Sequence, residues 1–307
     1  MSVAVSGDRT FCLPPVSLAE SYRRCSVHAR RAASSFYLAF WLLPSAKRRA
    51  MCALYAFLRR ADDIGDAALP VERRRIELEA LREALVRAFD GDAADPLLPA
   101  LVDTVRRYAI PREYLFDALD GVAMDLDERR YATAAELEAY CYRVASVVGL
   151  SCIHIWGFRS PAAFEPAQRC GLAFQWTNIL RDLGEDAARG RVYLPLDDLR
   201  RRGYAPEELV AGVADARFAA VLDDQVAVAR RHFAAASELS NYLSADGRRA
   251  FAAMYATYRD LLDRVERAGS DVLTRRVRVP TWRKVQLAAR ALVARPSRPC
   301  RSEPAAS

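Results

Sequence analysis

Two stretches of this sequence carry carboxylates at a spacing that could do chemistry. Asp62 and Asp66 stand four residues apart in YAFLRRADDIGD, and Asp182 and Asp186 do so in QWTNILRDLGED. On a helix, positions four apart share a face. Each pair ends a longer polar stripe: Tyr55 and Arg59 precede Asp62 on one face, and Gln175 and Asn178 precede Asp182 on another. Polar groups on an otherwise apolar helix need partners, because burying one unpaired costs roughly 2–7 kcal/mol. Either pair alone reads equally well as an acidic helix end facing water. Two matched stripes together point to two acidic walls that face each other.

Aspartates without histidine or cysteine beside them offer hard oxygen ligands, which suit Mg²⁺, with Mn²⁺ as a substitute, over zinc. Magnesium binds few carboxylates and leaves positions for phosphate oxygens. The walls therefore suggest a metal-bridged diphosphate, with Arg59, Arg181 and Arg191 as direct phosphate contacts. Metal and arginine together would stabilise a departing diphosphate and leave a carbocation behind. Such a cation needs a dry cavity with aromatic faces. Phe36, Tyr37, Phe40, Tyr55, Phe57, Tyr140, Phe174, Trp176 and Tyr255 are candidates, most of them equally suited to core packing.

The elements that position these residues read as helices throughout. Helical spacing predicts helices over 17–31, 45–66, 70–89, 97–108, 111–126, 133–156, 163–187, 214–243, 245–268 and 281–293. Ser17 before Glu20, and Thr133 before Glu136, have capping-box spacing. Residues 190–202 read as a loop. No sustained period-two pattern, fixed-length repeat or linker is present. The expected fold class is all-α: a flexible arm over 1–15, one domain over 16–294 and a disordered basic tail over 295–307.

Composition narrows the partners. The chain has 307 residues, 52% hydrophobic and 28% charged, with a net charge of +7 carried almost wholly by arginine. That charge suits an anionic partner, but no nucleic-acid-binding module is present and none is expected. The basic positions Arg275, Arg276, Arg278, Arg283, Lys284, Arg290 and Arg295 read as a solvated face, with contact to a membrane surface as the alternative. The seven cysteines form no CxxC pair and read as reduced, buried thiols. His28, His154 and His232 have no metal-ligand spacing, and His154 reads as a core residue. Without a signal peptide or a long apolar run, a cytoplasmic location is expected, with peripheral contact at the inner face of the membrane as an option.

At YAFLRRADDIGD, CYRVASVVGL and AFQWTNILRDLGEDAARGRVYLP, the chain resembles the phytoene synthase and squalene synthase family, over about 34–293. The resemblance implies one isoprenoid-synthase domain around a large central cavity. It implies a prenyltransferase that joins two identical prenyl diphosphates head to head through a cyclopropylcarbinyl diphosphate. By motif position it makes Asp62 and Asp66 the first metal pair and Asp182 and Asp186 the second, with Asn178 as a further ligand. Arg59, Gln175, Arg181, Arg191 and Tyr193 would contact substrate, and Tyr55 and Tyr140 would act in catalysis. Ser35, Phe36 and Tyr255 are further substrate-contact candidates. Asp63 matches too, but it points about 100° off the stripe. Phytoene from geranylgeranyl diphosphate is the favoured product. The alternative is presqualene diphosphate or squalene from farnesyl diphosphate, and NADPH would be needed only for squalene. Two departures stand out. Ala32-Ala33-Ser34-Ser35 replaces a more polar run, and Trp176 replaces a smaller aliphatic residue, so that it either packs or narrows the cavity. The bulky run Ile153-His154-Ile155-Trp156 would help set chain length if it lines the pocket.

Overall fold

A computed structural model of the chain describes residues 16–31, 35–92, 94–127 and 130–293, with the side chains of Ser35 and Phe36 left out. The expected arm over 1–15 and tail over 295–307 lie outside the described residues, as do Cys12 and Cys300. The described residues fold into helices and contain no β-strand, only an isolated antiparallel bridge between Phe158 and Leu243.

The helices run in order α1 (Leu18–Arg31), α2 (Ser35–Phe40), α3 (Ser45–Gly65), α4 (Val71–Phe89), α5 (Leu98–Arg107), α6 (Glu113–Met124), α7 (Ala134–Cys141) and α8 (Val147–Trp156). They continue with α9 (Phe164–Ala188), α10 (Leu196–Arg201), α11 (Pro206–Val210), α12 (Ala216–Ala236), α13 (Leu239–Tyr242), α14 (Ala245–Ala268) and α15 (Thr281–Val293). Helix α9 is the axis of the molecule. It packs on α8, α12 and α14, so it is apolar nearly all round except for the polar stripe.

Local chemistry sets the boundaries. The Thr133 hydroxyl accepts the Glu136 N–H at 3.3 Å, as the capping spacing predicts. The Glu136 carboxylate reaches one residue further back and accepts the Ala132 N–H at 2.8 Å. The helix expected over 133–156 is interrupted by a π-helical turn, Tyr142–Ser146. There the chain presses against α9: a Cβ on Gly171 would stand 2.4 Å from the Ser146 Cα. Residues 190–202 are not all loop, because Leu196–Arg201 forms α10, with Asp197 and Asp198 in its first turn and two arginines in its last. A helix this short shows no periodicity to read. The helix expected over 214–243 divides into α12 and α13 at Ser237, whose hydroxyl donates back to the Ala234 carbonyl at 2.7 Å.

Five cysteines are buried free thiols, and burial holds those of Cys25 and Cys152 up at about 12. Among the described residues, no helix is long and apolar enough to cross a membrane.

Candidate active site

Helices α2, α3, α6, α8, α9 and α14, with the π-turn, enclose a cavity of about 630 Å³. That lies within the range of small-molecule sites. Both Asp-x-x-x-Asp pairs line it, Asp62 and Asp66 from the end of α3 and Asp182 and Asp186 from the last two turns of α9. Tyr55, Arg59, Tyr140, Gln175, Asn178, Arg181, Arg191 and Tyr193 line the same space. Asp125, Glu185, Arg189, Tyr258 and Arg276 line it too, and the rest of the wall is apolar, with Phe40, Leu54, Trp156, Phe174 and Phe251.

The electrostatics show that the two walls share one field. Burial, then the neighbouring charges of Asp66 and Asp125, push Asp62 up to about 7 against the pull of Arg59. Its carboxylate opens onto the cavity while protein walls it behind. Burial and the Asp182 charge push Asp186 up to about 7, opposed by Arg191 and Arg189. Asp125 lines the same cavity, and its charge acts on both Asp62 and Asp186. Like charges gathered in one enclosed space need a cation or a proton.

Asp182 is held from two sides. The Arg181 Nε donates to its Oδ1 at 2.8 Å, and the Arg276 Nε lies 2.9 Å from the same oxygen. Arg276 also pairs with Glu185 at 3.0 Å. Arg276 therefore belongs to the cavity rather than to a solvated face, which corrects the expectation for that residue. Its segment is brought in by Gly184, where a Cβ would come within 2.2 Å of the Leu273 carbonyl oxygen. Arg59 pairs with Asp63 at 2.6 Å, along the helix and off the stripe.

Asn178 bears on cation binding. Its Nδ2 donates to the Gln175 Oε1 at 3.2 Å, while its Oδ1 is buried with no hydrogen-bond partner. An orphaned hard oxygen beside Asp182 suits a cation. No three His, Cys, Asp or Glu side chains among the described residues form a ready-made metal cage. The donors present would fit Mg²⁺ brought in with phosphate oxygens, which would complete its oxygen shell.

Asp125 was not expected at the site. It caps the end of α6, in the last turn of the helix expected over 111–126, where nothing in the spacing marked it as a site residue. Its Oδ2 accepts from the Tyr140 hydroxyl at 2.8 Å and its Oδ1 from the Tyr193 hydroxyl at 2.9 Å. Burial raises its carboxyl, and those two hydrogen bonds oppose the rise. The Tyr140 and Tyr193 rings stack with centroids 5.5 Å apart. Tyr258 was missed too: it lines the cavity and stacks on Phe174, with centroids 4.0 Å apart.

Several expected residues lie elsewhere. Tyr255 does not line the cavity, and its hydroxyl donates to the Phe233 carbonyl at 2.9 Å on the far side of α14, which corrects its placement as a substrate contact. Trp176 is fully buried and donates to the Gln225 Oε1 at 3.0 Å, so it packs against α12 and does not narrow the cavity. Phe57 is core and Tyr37 packs edge-on to Phe40 and Trp41. Of the bulky run after Gly149, Trp156 alone reaches the cavity. His154 packs edge-on to Tyr114 and Phe158 and lies tilted against Phe164. The side chains of Ser35 and Phe36 lie outside the described residues.

An all-α shell around one such cavity is the isoprenoid synthase fold. Superposition on a ligand-bound dehydrosqualene synthase gives a TM-score of 0.80 at 31% identity, covering 90% of this chain and 96% of that one. The chain belongs to the squalene/phytoene synthase family, whose model matches residues 29–283. It is thus an enzyme of that family, a prenyltransferase. It is 39% identical to the 15-cis-phytoene synthase of Synechococcus elongatus, over 88% of this chain and 91% of the relative. It is also similar to a squalene synthase of Alicyclobacillus acidocaldarius, with a TM-score of 0.77 and 26% identity over 83% of this chain and 96% of that one.

Proposed function

We propose that this enzyme condenses two molecules of geranylgeranyl diphosphate, head to head, into phytoene through a cyclopropylcarbinyl diphosphate. The observation that carries the reading is the convergence of both aspartate pairs, Arg59 and Arg191 on one cavity that also has an extended apolar and aromatic wall. The choice of the C20 substrate rests on the named phytoene synthases it resembles. Two farnesyl diphosphates giving presqualene diphosphate or squalene is the second reading, favoured by the fold match to a dehydrosqualene synthase. Only squalene would require NADPH.

Asp62, Asp66, Asn178, Asp182 and Asp186 would hold Mg²⁺. When bound, the ion supplies Lewis-acid stabilisation of a departing diphosphate. The chain's own residues do the rest. Arg59 and Arg191 offer fixed guanidinium groups to phosphate oxygens. Arg181 and Arg276 orient the Asp182 carboxylate. The C1–O bond of the first prenyl diphosphate breaks, and the electron pair leaves with diphosphate. The double bond of the second molecule then attacks C1, and loss of a proton closes the cyclopropane. The second diphosphate departs in turn, the skeleton rearranges, and a further proton is lost. Phe40 and the stacked Phe174–Tyr258 pair present π-faces to the cationic carbons. The apolar wall keeps water from quenching them.

The test is incubation of the purified protein with each prenyl diphosphate and Mg²⁺, with and without NADPH, identifying the hydrocarbon by mass. Phytoene from the C20 substrate is expected, independent of NADPH. Asp182→Ala is expected to lower diphosphate release at least about a hundredfold. Equal release by the variant would refute the metal assignment, and a C30 product alone would replace the first reading by the second.

A further inference from the structure

Helix α15 is apolar on two sides. One side buries Leu287 and Ala291 against the body of the protein, where the helix packs on α14 and α2. On the opposite side Trp282, Val285, Ala289 and Leu292 step by three, four and three residues, and all are exposed. Val293 extends the row at 80% exposure, and Trp282 heads it at 66%. A solvated helix face has no reason to repeat apolar residues at this spacing. The flanks are cationic. Between residues 272 and 293 the sequence has six arginines and lysines and no acid. Arg276 and Arg283 are engaged with Asp182 and Asp260, whereas Arg275, Arg278 and Arg290 are exposed and make no ion pair among the described residues.

We propose that this outer stripe of α15, with its flanking arginines, docks the enzyme on an anionic lipid bilayer. The stripe would lie in the interface plane with Trp282 at the headgroup level, while the arginines meet lipid phosphate. A second copy of the chain fits less well, because a two-fold contact would set this acid-free face against itself. The position suits an amphiphilic substrate. Arg276, at the cavity, lies five residues before α15, and α2 under α15 carries Phe40 of the cavity wall. The inference goes beyond the proposed condensation and holds for either chain length.

The test is flotation of the full chain with vesicles of phosphatidylcholine alone or mixed with phosphatidylglycerol. Wild type is expected to float only with the mixed vesicles, and less at high salt. The triple variant Trp282→Ser/Val285→Ser/Leu292→Ser should stay in solution. Arg275→Gln, Arg278→Gln and Arg290→Gln should each weaken partitioning about fivefold. None of these residues lies in the cavity, so diphosphate release from a short, water-soluble prenyl diphosphate should be unchanged. Should the triple variant fail to fold, quenching of wild-type tryptophan fluorescence by brominated lipid, diminished in Trp282→Phe, gives the same answer. Failure of wild type to float, or flotation of a folded triple variant like wild type, overturns the proposal. A wild-type dimer that the triple variant dissociates without lipid would overturn it as well, assigning the stripe to contact between copies.

Discussion

Tyr140 and Tyr193 reach the cavity with their hydroxyls both tied to Asp125. A carboxylate that accepts from two phenols fixes two rings at once, and the rings in turn stack on each other. Asp125→Asn keeps the size and one acceptor, so the fold should hold while ring placement loosens. We expect kcat to fall about tenfold to a hundredfold with little change in Tm. In a Tyr140→Phe background the same change should cost clearly less, since the two act through one contact. An additive double variant would separate their roles. The raised carboxyls of Asp62 and Asp186 give a pH prediction. Their folded values near 7 lie above the unfolded ones, so in the metal-free protein their contribution to stability is full below about pH 4 and is lost as pH rises through 7. Binding a cation requires the deprotonated forms. Mg²⁺ with inorganic diphosphate should therefore bind more tightly from pH 6 to pH 8 and release protons in calorimetry, an effect that Asp62→Asn should reduce.

Helix α9 must come close to two neighbours to place its stripe, and two glycines allow it. At Gly171 a Cβ would meet the backbone of the π-turn, and at Gly184 it would meet the Leu273 carbonyl. Backbone cannot swing aside as a side chain can. Gly171→Ala and Gly184→Ala are each expected to destabilise by about 1–3 kcal/mol, read by urea unfolding. They should differ in function. Gly184→Ala also pushes back the segment that carries Arg276 to Asp182, so it should raise KM for the prenyl diphosphate more than Gly171→Ala does. These approaches were not legible in the sequence, because a glycine inside a helix pattern does not say what lies against it. The aspartate pairs were legible, because four-residue spacing is fixed by the helix itself.

At the scale of the whole molecule, the cavity couples binding to folding. Its walls come from helices spread from α2 to α14, and the aspartates on them repel while the site holds no cation. A ligand that bridges the walls should raise Tm. Mg²⁺ with inorganic diphosphate at a hundred times its Kd should add about 2.7 kcal/mol, and either component alone much less. Asp182→Ala should remove most of that gain in a thermal scan. A gain as large from diphosphate alone would shift the weight from the aspartates to the arginines.

Residue spacing determined that the described residues are helical and carry two acidic stripes, and the motifs carried the resemblance to the squalene/phytoene synthase family. Those features are local: a helical face follows from positions a few residues apart. The third carboxylate, Asp125, the turn of Arg276 into the cavity, the turn of Tyr255 and Trp176 away from it, and the unpartnered face of α15 were settled only by tertiary structure. Each depends on which distant helix lies opposite, and one residue's shift around a helix turns a side chain by 100° from cavity to core.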